Sequence, residues 1–276
     1  MHTLLEILSK TEGFLAGRGV REPRLDAEHL LADLLGCRRM ELYLQFDRPL
    51  EEETLARLRP RVARRGRREP LSHILGTHPF HDLSVAVGPG VLAPRPETEE
   101  LAERAVAHLP SPPGRVLDLG TGSGAIALWI KTRFPGAEVL ATDKSGAALA
   151  VARKNAEALG LAVEFLEADW FGGVSGAFDL VLANPPYLSE EEWRAADPEV
   201  REYEPKEALV APENGLADLR RILASAPPFL RPGALLALET GAGQRGSLLA
   251  AAAGGFSAAW GEDDFHGRDR FVFCRR

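Results

Sequence analysis

The chain has 276 residues, 45% of them hydrophobic, and a formal net charge of −7, which predicts one large or two modest globular domains. No run approaches the roughly 18 apolar residues of a membrane span, and Glu6 and Lys10 interrupt any signal peptide, so we expect a cytoplasmic protein without a membrane partner. Two cysteines are too few for a disulfide framework or a zinc knuckle, and the acidic balance argues against direct nucleic-acid binding.

Helices are predicted for the first part of the chain. The segment "TLLEILSKTEGFLAGRG" has apolar residues at helical spacing, and "RLDAEHLLADLLGC" repeats the pattern with Asp26 as the expected N-cap and Gly36 as the stop. A third helix, "EEETLARLRPRVARRGRREP", is acidic at its start and basic at its end, which suits the helix dipole. Its arginines form either a patch for an acidic partner or a solvated helix face.

A β-hairpin is predicted next. "LSVAV" alternates like a strand, and Gly88, Pro89 and Gly90 mark a turn. A helix that starts near "PETEELAERAVAHL" then leads into the second part. We therefore predict a helical domain over 1–76, a hairpin linker over 77–93 and a second domain over 94–276.

Strands and helices alternate from Arg115 onward. The predicted strands are "RVLDLG", "AEVLATD", "VEFLEAD", "FDLVLAN" and "GALLALET", followed by the edge strands "SAAWGED" and "RDRFVFCRR". This alternation indicates an α/β fold with a mostly parallel, doubly wound sheet. Such sheets bind ligands at the carboxyl ends of their strands, a rule that places Asp118, Asp143, Asp169 and Asn184 on one rim.

A glycine-rich turn follows the first of these strands. It consists of Gly120, Thr121, Gly122, Ser123 and Gly124. Its glycines permit unusual backbone angles and the close approach of a ligand. Asp143 follows at the next strand end, where an acidic residue can meet ribose hydroxyls. To this point, NAD and S-adenosylmethionine fit equally well.

The third strand end supplies Asp169 and Trp170. A carboxylate beside an indole suits an adenine, with polar contact at its edge and stacking on its face. The alternative for Trp170 is ordinary core packing. Because the glycine loop, Asp143 and Trp170 lie at successive strand ends, together they predict a cofactor site.

The fourth strand ends in Asn184, Pro185, Pro186 and Tyr187. With the glycine loop upstream, this corner resembles S-adenosylmethionine-dependent methyltransferases that modify planar NH2 groups of adenine, guanine or glutamine. The Asn184 side-chain carbonyl and the Pro185 backbone carbonyl can accept the two hydrogens of such an NH2 group. The prolines stiffen the corner, because each fixes φ, and Tyr187 can lie against the planar group. Catalysis would be mainly positioning and electrostatic preorganisation, without a strong base.

Six motifs along the chain, in order, narrow the choice: "RREPLSHILGTHPF", "GVLAPRPETEELAE", "VLDLGTGSGAIAL", "NPPYL", "YEPKEALVAPENGL" and "GRDRFVF". Together they closely resemble the PrmC/HemK family of release factor glutamine methyltransferases. The resemblance implies a Rossmann-like, seven-stranded methyltransferase domain and a small N-terminal helical domain, joined by the β-hairpin. It also implies transfer of a methyl group from S-adenosylmethionine to the amide nitrogen of the glutamine in the Gly-Gly-Gln motif of class 1 peptide release factors.

Matching positions carry the family's site. The resemblance implies that the cofactor meets the Gly120–Gly124 loop, Asp143, Trp170 and Asn184, and that the substrate glutamine meets the Asn184–Tyr187 corner. Asp169 is expected at the cofactor from its position at the third strand end. It implies that the helical domain helps grip the release factor, and that Arg95 and Glu97 shape the site floor. We expect S-adenosylhomocysteine as product, no metal, and a monomer.

Two departures from the family pattern and two alternatives remain. Phe80-His81 stands where a second aromatic is usual, and an acidic segment follows the corner. The chain's own Gln244 lacks the Gly-Gly-Gln context of a methylation target and is expected to start a helix.

The alternatives are an adenine-N6 or guanine-N2 nucleic-acid methyltransferase, which needs a basic channel and a base-flipping pocket, and a non-catalytic cofactor-sensing or ribosome-associated protein.

Overall fold

The computed structural model describes residues 2–276. The chain forms two compact units. The first holds the residues up to Gly76 together with Asp197–Tyr203, and the second holds Thr77–Ala196 and Glu204–Arg276. Across residues 2–276, every helix is too short or too polar to cross a lipid bilayer.

The first unit, here called the helical unit, is a small bundle. Its elements are β1 (His2–Thr3), α1 (Leu4–Ala16), α2 (Pro23–Leu35), β2 (Pro49–Leu50), α3 (Glu52–Gly66), α4 (Leu71–Leu75) and, from later in the chain, α9 (Pro198–Tyr203). Its core is made of leucines at helical spacing, of which Leu4, Leu8 and Leu30 are fully buried.

The start of α2 differs from the prediction. Asp26 is not its N-cap, because the helix begins at Pro23, and proline suits the first helical position, where no N–H partner is needed. Asp26 instead accepts a hydrogen bond at 2.6 Å from Nε of Arg65, and both side chains are buried. The predicted stop is confirmed: Gly36 adopts a left-handed φ of +65°.

The arginines of α3 and the residues after it are mostly paired inside the helical unit. The pairs are Arg59–Glu52, Arg61–Asp33, Arg64–Glu69, Arg65–Asp26 and Arg68–Glu199. Because these carboxylates neutralise most of the arginine charges, the structure favours a helix face with local ion pairs over a patch for an acidic partner.

The second unit, here called the α/β unit, is built on a seven-stranded sheet. Its strands, in spatial order, are β10 (Ala258–Asp263), β11 (Asp269–Arg275), β9 (Leu230–Glu239), β8 (Phe178–Ala183), β5 (Arg115–Leu119), β6 (Glu138–Asp143) and β7 (Glu164–Glu167). The strands from β9 to β7 are parallel, and β11 and β10 are antiparallel edge strands. This confirms the predicted α/β class and the doubly wound sheet.

Helices cover both faces of this sheet. They are α5 (Pro96–Ala107), α6 (Ala125–Arg133), α7 (Gly146–Leu159), α10 (Ala217–Ser225) and α11 (Arg245–Ala252), while α8 (Glu190–Ala195) has no buried residue. Successive strand residues alternate between two cores: Val116 belongs to one and Leu117 to the other. Strands buried on both faces explain the near-continuous apolar runs. The strand order reverses between β5 and β8, which is the switch point where such sheets bind ligands.

The predicted hairpin is present, but its turn was placed wrongly. Strands β3 (Thr77–Phe80) and β4 (Leu83–Ala86) pair with Phe80 opposite Leu83. The turn therefore lies at His81 and Asp82, with His81 at φ +51°, and Gly88-Pro89-Gly90 follows β4. The His81 ring stacks on Trp129, with centroids 4.4 Å apart, which is how the chain accommodates histidine after Phe80.

Candidate active site

A cavity of about 310 Å³ lies in the α/β unit at the carboxyl ends of the parallel strands. The predicted site residues that line it are Gly120, Gly122, Asp143, Asp169, Trp170, Asn184 and Pro186. Residues that the sequence did not single out complete the wall: Gly90, Val91, Leu92, Lys144, Ser145, Ala148, Ala168, Pro205, Glu207 and Ala208. The structure therefore brings together residues from four strand ends, as the sheet rule predicted.

Other predicted residues lie outside the cavity wall. They are Thr121, Ser123, Gly124, Pro185 and Tyr187.

Asp118 was expected on the rim, which is wrong. It precedes the last residue of β5 and is buried beneath the glycine loop, where its Oδ2 accepts from the Thr121 hydroxyl at 2.6 Å. Burial, with a smaller contribution from the charge of Asp143, raises the pKa of Asp118 to about 7.

The glycine loop adopts the unusual angles expected of it. The φ values of Gly120, Gly122 and Gly124 are +70°, +57° and +86°, a region that disfavours side chains. A Cβ on Gly120 would lie 3.3 Å from Cζ3 of Trp170, and one on Gly124 would lie 3.1 Å from Cβ of Ala152. The first glycine thus lets the loop approach the indole, and the third lets α6 pack against α7.

Asp143 is held in place by the backbone. Its Oδ2 accepts from the Gly122 N–H and its Oδ1 from the Ser145 N–H, each at 2.9 Å. A carboxylate has about four lone-pair sites, so two remain for hydroxyl donors in the cavity. The arrangement can bind a vicinal diol and at the same time hold the glycine loop in register.

Asn155 supports the glycine loop from below and was missed by sequence reasoning. Its Nδ2 donates to the Ser123 carbonyl at 2.8 Å and to the Ala86 carbonyl at 3.0 Å, and its Oδ1 accepts from the Ala86 N–H at 2.8 Å. The side chain therefore ties hairpin strand β4 to the loop. The sequence signal for this role is a single asparagine within the alanine-rich helix "GAALAVARKNAEALG".

Trp170 is part of the core and also faces the cavity. It packs in the core cluster with Leu117 and Phe171, and it also lines the cavity. Its Nε1 donates to Asp218 at 3.1 Å, which fixes the ring. The neighbouring Asp169 is half-exposed and pairs with Arg221 at 2.7 Å.

The Asn184–Tyr187 corner rests on two residues from distant parts of the chain. Nδ2 of Asn184 donates to the Thr98 hydroxyl at 2.9 Å, and that hydroxyl donates to Oε2 of Glu239 at 2.7 Å. The Tyr187 hydroxyl donates to Oε1 of Glu239 at 3.0 Å. Burial is the main reason that the pKa values of Glu239 and Tyr187 are raised, so the phenol stays neutral. Sequence reasoning named neither Thr98 nor Glu239.

Comparison with known proteins places this site in a family. Residues 6–76 match the PrmC N-terminal domain, and residues 98–198 match the methyltransferase small domain. The release factor glutamine methyltransferase of Geobacter sulfurreducens is 42% identical over 272 residues, which cover 98% of this chain and 95% of the relative. The enzyme of that name from Deinococcus radiodurans is 39% identical over 99% of this chain and 98% of its own.

The chain belongs to the release factor glutamine methyltransferases. This confirms the resemblance read from the six motifs. Solved structures support the fold of the α/β unit. A methyltransferase from Pyrococcus furiosus matches with a TM-score of 0.55 at 18% identity, over 71% of this chain and 90% of that one. A Thermus thermophilus 16S rRNA N2 G1207 methyltransferase in complex with AdoMet and guanosine matches with a TM-score of 0.54 at 20% identity, over 72% and 49%.

Two further residues of the release factor glutamine methyltransferase motif "PRPETE" anchor the start of α5. Arg95 pairs with the buried carboxylate of Glu204, and Glu97 pairs with Arg268 at 3.2 Å. Neither Arg95 nor Glu97 lines the cavity. Thr98, from the same motif, is the member that reaches the Asn184 corner.

Proposed function

We propose that this chain transfers a methyl group from S-adenosylmethionine to the side-chain amide nitrogen of the glutamine in the Gly-Gly-Gln motif of class 1 peptide release factors. The observation that carries the proposal is that Asn184 and Pro186 line the same cavity as Gly120, Gly122 and Asp143. A planar NH2 group held at the corner would therefore meet a ligand held by the glycine loop. Relatives that are about 40% identical over nearly the full length bear the corresponding name.

The cavity residues fit S-adenosylmethionine. Gly120 and Gly122 leave the loop without side chains beside the Trp170 ring, and Asp143 keeps lone pairs for two ribose hydroxyls. The Trp170 face and the Asp169 carboxylate suit the adenine. When bound, this group supplies a methyl on a sulfonium, which is activated toward nucleophiles.

In this proposal the residues of the chain hold the substrate amide. Oδ1 of Asn184 and the Pro185 carbonyl would accept its two hydrogens, and this would orient the nitrogen, whose lone pair is otherwise delocalised. Tyr187, whose hydroxyl is anchored on Glu239, would limit the motion of the planar group. Positioning and preorganised acceptors supply the catalysis in this proposal, and the proton of the methylated nitrogen leaves to water.

We propose that residues 1–76 act in recognition of the release factor. A nucleic-acid substrate is less well supported, because the chain carries a net charge of −7 and the arginines of α3 are largely paired within the helical unit. The likeness to the rRNA enzyme, at 20% identity, concerns the fold alone.

The test is methyl transfer from labelled S-adenosylmethionine to purified class 1 release factor, with tRNA, rRNA and DNA as parallel acceptors. A release factor whose motif glutamine is replaced by alanine is the matched control. We expect label only in the intact release factor, located by mass spectrometry on the motif glutamine. Label in a nucleic acid and none in the release factor would refute the proposal.

A further inference from the structure

Glu239 lies at the centre of a hydrogen-bond chain that ends at Asn184. The carboxylate is fully buried at the end of β9, and each of its oxygens accepts from a hydroxyl: Thr98 at 2.7 Å and Tyr187 at 3.0 Å. Both carboxyl oxygens of Glu239 thus accept hydrogen bonds, and these two bonds oppose the rise in the pKa of Glu239 that burial causes. The Arg270 guanidinium, 5.7 Å from the Tyr187 ring centroid, adds positive charge on the same side.

The hydrogen bonds from Asn184 through Thr98 to Glu239 all run in one direction. A threonine hydroxyl has one proton, and here the proton is used by Glu239. Thr98 can therefore only accept from Asn184, so the NH2 end of the amide must face Thr98. The amide oxygen then lies at the opposite end of the planar group and is free to accept from another molecule. A flipped amide would draw the Thr98 hydroxyl proton away from Glu239 and leave one of its buried oxygens without a donor, which is unfavourable.

We propose that Thr98 and Glu239 are positioning residues that fix the Asn184 amide with Oδ1 directed to the substrate amide, an inference that rests on the proposed methyl transfer. The same carboxyl group accepts from the Tyr187 hydroxyl, so a single buried side chain positions both the acceptor and the aromatic ring of the corner. Neither Thr98 nor Glu239 lines the cavity, so both act through Asn184 and Tyr187.

The kinetic test compares Thr98→Val, which removes the hydroxyl at equal volume, with Thr98→Ser, which keeps it. Thr142→Val is the control, since the Thr142 hydroxyl is also buried and has no hydrogen-bond partner among residues 2–276. We expect kcat to fall about 10- to 100-fold in Thr98→Val, to stay within about 3-fold of wild type in Thr98→Ser, and to stay unchanged in Thr142→Val. KM and the Kd for S-adenosylmethionine should change less than kcat.

Glu239→Gln tests the direction of the hydrogen bonds through Thr98. A glutamine can donate to Thr98 and so reverse its hydroxyl, and we expect kcat to fall at least as far as in Thr98→Val. The inference is overturned if Thr98→Val keeps the wild-type kcat. It is equally overturned if Thr98→Ser falls as far as Thr98→Val at an unchanged melting temperature, because that outcome indicates packing alone.

A second readout does not depend on methyl transfer. The side-chain NH2 protons of Asn184, assigned by their loss in Asn184→Asp, can be followed by NMR hydrogen exchange. One of them should be protected in wild type and in Thr98→Ser, and exposed in Thr98→Val. If wild type fails to methylate the release factor while this pattern holds, the proposed function fails and the fixed amide stands. Equal protection in wild type and Thr98→Val would overturn the inference whatever the activity.

Discussion

Nε2 of Gln244 donates a hydrogen bond to the Tyr187 carbonyl at 2.9 Å. Gln244 lies at the N-cap of α11, which confirms that it precedes a helix, and its amide also contacts the Asn214 carbonyl and the Gly241 N–H. A Cβ on Gly215 would lie only 1.9 Å from the same carbonyl oxygen and 2.7 Å from Nε2 of Gln244. The exit of the Asn184–Tyr187 corner is therefore enclosed and cannot move without disrupting both neighbours.

Gln244→Leu should destabilise the protein by about 1–3 kcal/mol, because the Tyr187 carbonyl loses its donor. Urea denaturation measures the change. Gln45→Leu is the control, since Gln45 also donates to a carbonyl but is only partly buried, and we expect about 0.5 kcal/mol or less. An equal loss in both variants would contradict the assigned role of Gln244.

Asn184→Ala should abolish methyl transfer, with kcat lowered about 100-fold or more, because one of the two acceptors for the substrate amide is gone. The Kd for S-adenosylmethionine should change less than about 3-fold, since the glycine loop and Asp143 hold most of that ligand. Calorimetric titration of the cofactor and labelled transfer to the release factor measure the two effects. Turnover at the wild-type rate would remove Asn184 from the reaction.

Asp143→Ala should weaken S-adenosylmethionine binding about 10- to 100-fold, because both the hydroxyl acceptors and the anchor of the Gly122 N–H are lost. Asp169→Ala is the comparison, since that carboxylate is 55% exposed and paired with Arg221. We expect it to weaken binding about 3-fold or less. A larger effect for Asp169 than for Asp143 would reverse the assignment of the two carboxylates.

Regular periodicity is what made most of the fold predictable from the sequence. Apolar runs broken by helical segments identified all seven strands of the sheet, and glycines with Asp143 and Asn184 located the cavity. The hairpin turn was misplaced because Gly88-Pro89-Gly90 is a stronger turn signal than His81-Asp82, although only the latter joins the paired strands. Asp26 resembled an N-cap, but its charge is used by Arg65 across the helical unit.

Long-range partners explain what the sequence could not predict about the site. Thr98 and Glu239 are 141 positions apart and meet only because α5 packs beside β9. Asn155 and Ala86 are 69 positions apart, and nothing local to "ARKNAEA" indicates a bond to a hairpin strand. Roles that depend on one side chain finding another across the fold require the tertiary structure.

Asp118 should make the stability of the α/β unit depend on pH. Its folded pKa of about 7 exceeds its ordinary value of 3.8, so the native state keeps a proton that the unfolded chain has already released. The free energy of unfolding therefore falls as pH rises from about 4 to about 7. The gap corresponds to at most about 4 kcal/mol.

Asp118→Asn should remove this dependence, because Oδ2 becomes an amide oxygen that can still accept from Thr121, and Oδ1 has no partner among residues 2–276. Urea denaturation of both proteins between about pH 5 and about pH 8 measures the difference. We expect the variant to gain stability relative to wild type as pH rises. A constant difference across the range would show that Asp118 titrates normally.

Arg65→Met should destabilise the helical unit by about 3–5 kcal/mol, because the buried Asp26 carboxylate loses its partner. Arg59→Met is the matched control. Arg59 pairs with Glu52, but both side chains are more than half exposed, so we expect about 1 kcal/mol or less. Circular dichroism during urea denaturation measures both variants, and a small effect at Arg65 would contradict its assigned role.

The helical unit is discontinuous in sequence, and this affects any attempt to divide the protein. The chain leaves the unit after Gly76, returns at Asp197 and departs again after Tyr203. Within the returning segment, Oε1 of Glu199 accepts from Arg65 at 2.9 Å and from Arg68 at 2.6 Å. A protease cut at the Gly76–Thr77 bond would therefore leave the two fragments associated through Glu199. A gene fragment ending at codon 76, where the matched family domain also ends, would encode a helical unit in which Arg68 lacks Glu199 and Arg65 keeps only Asp26.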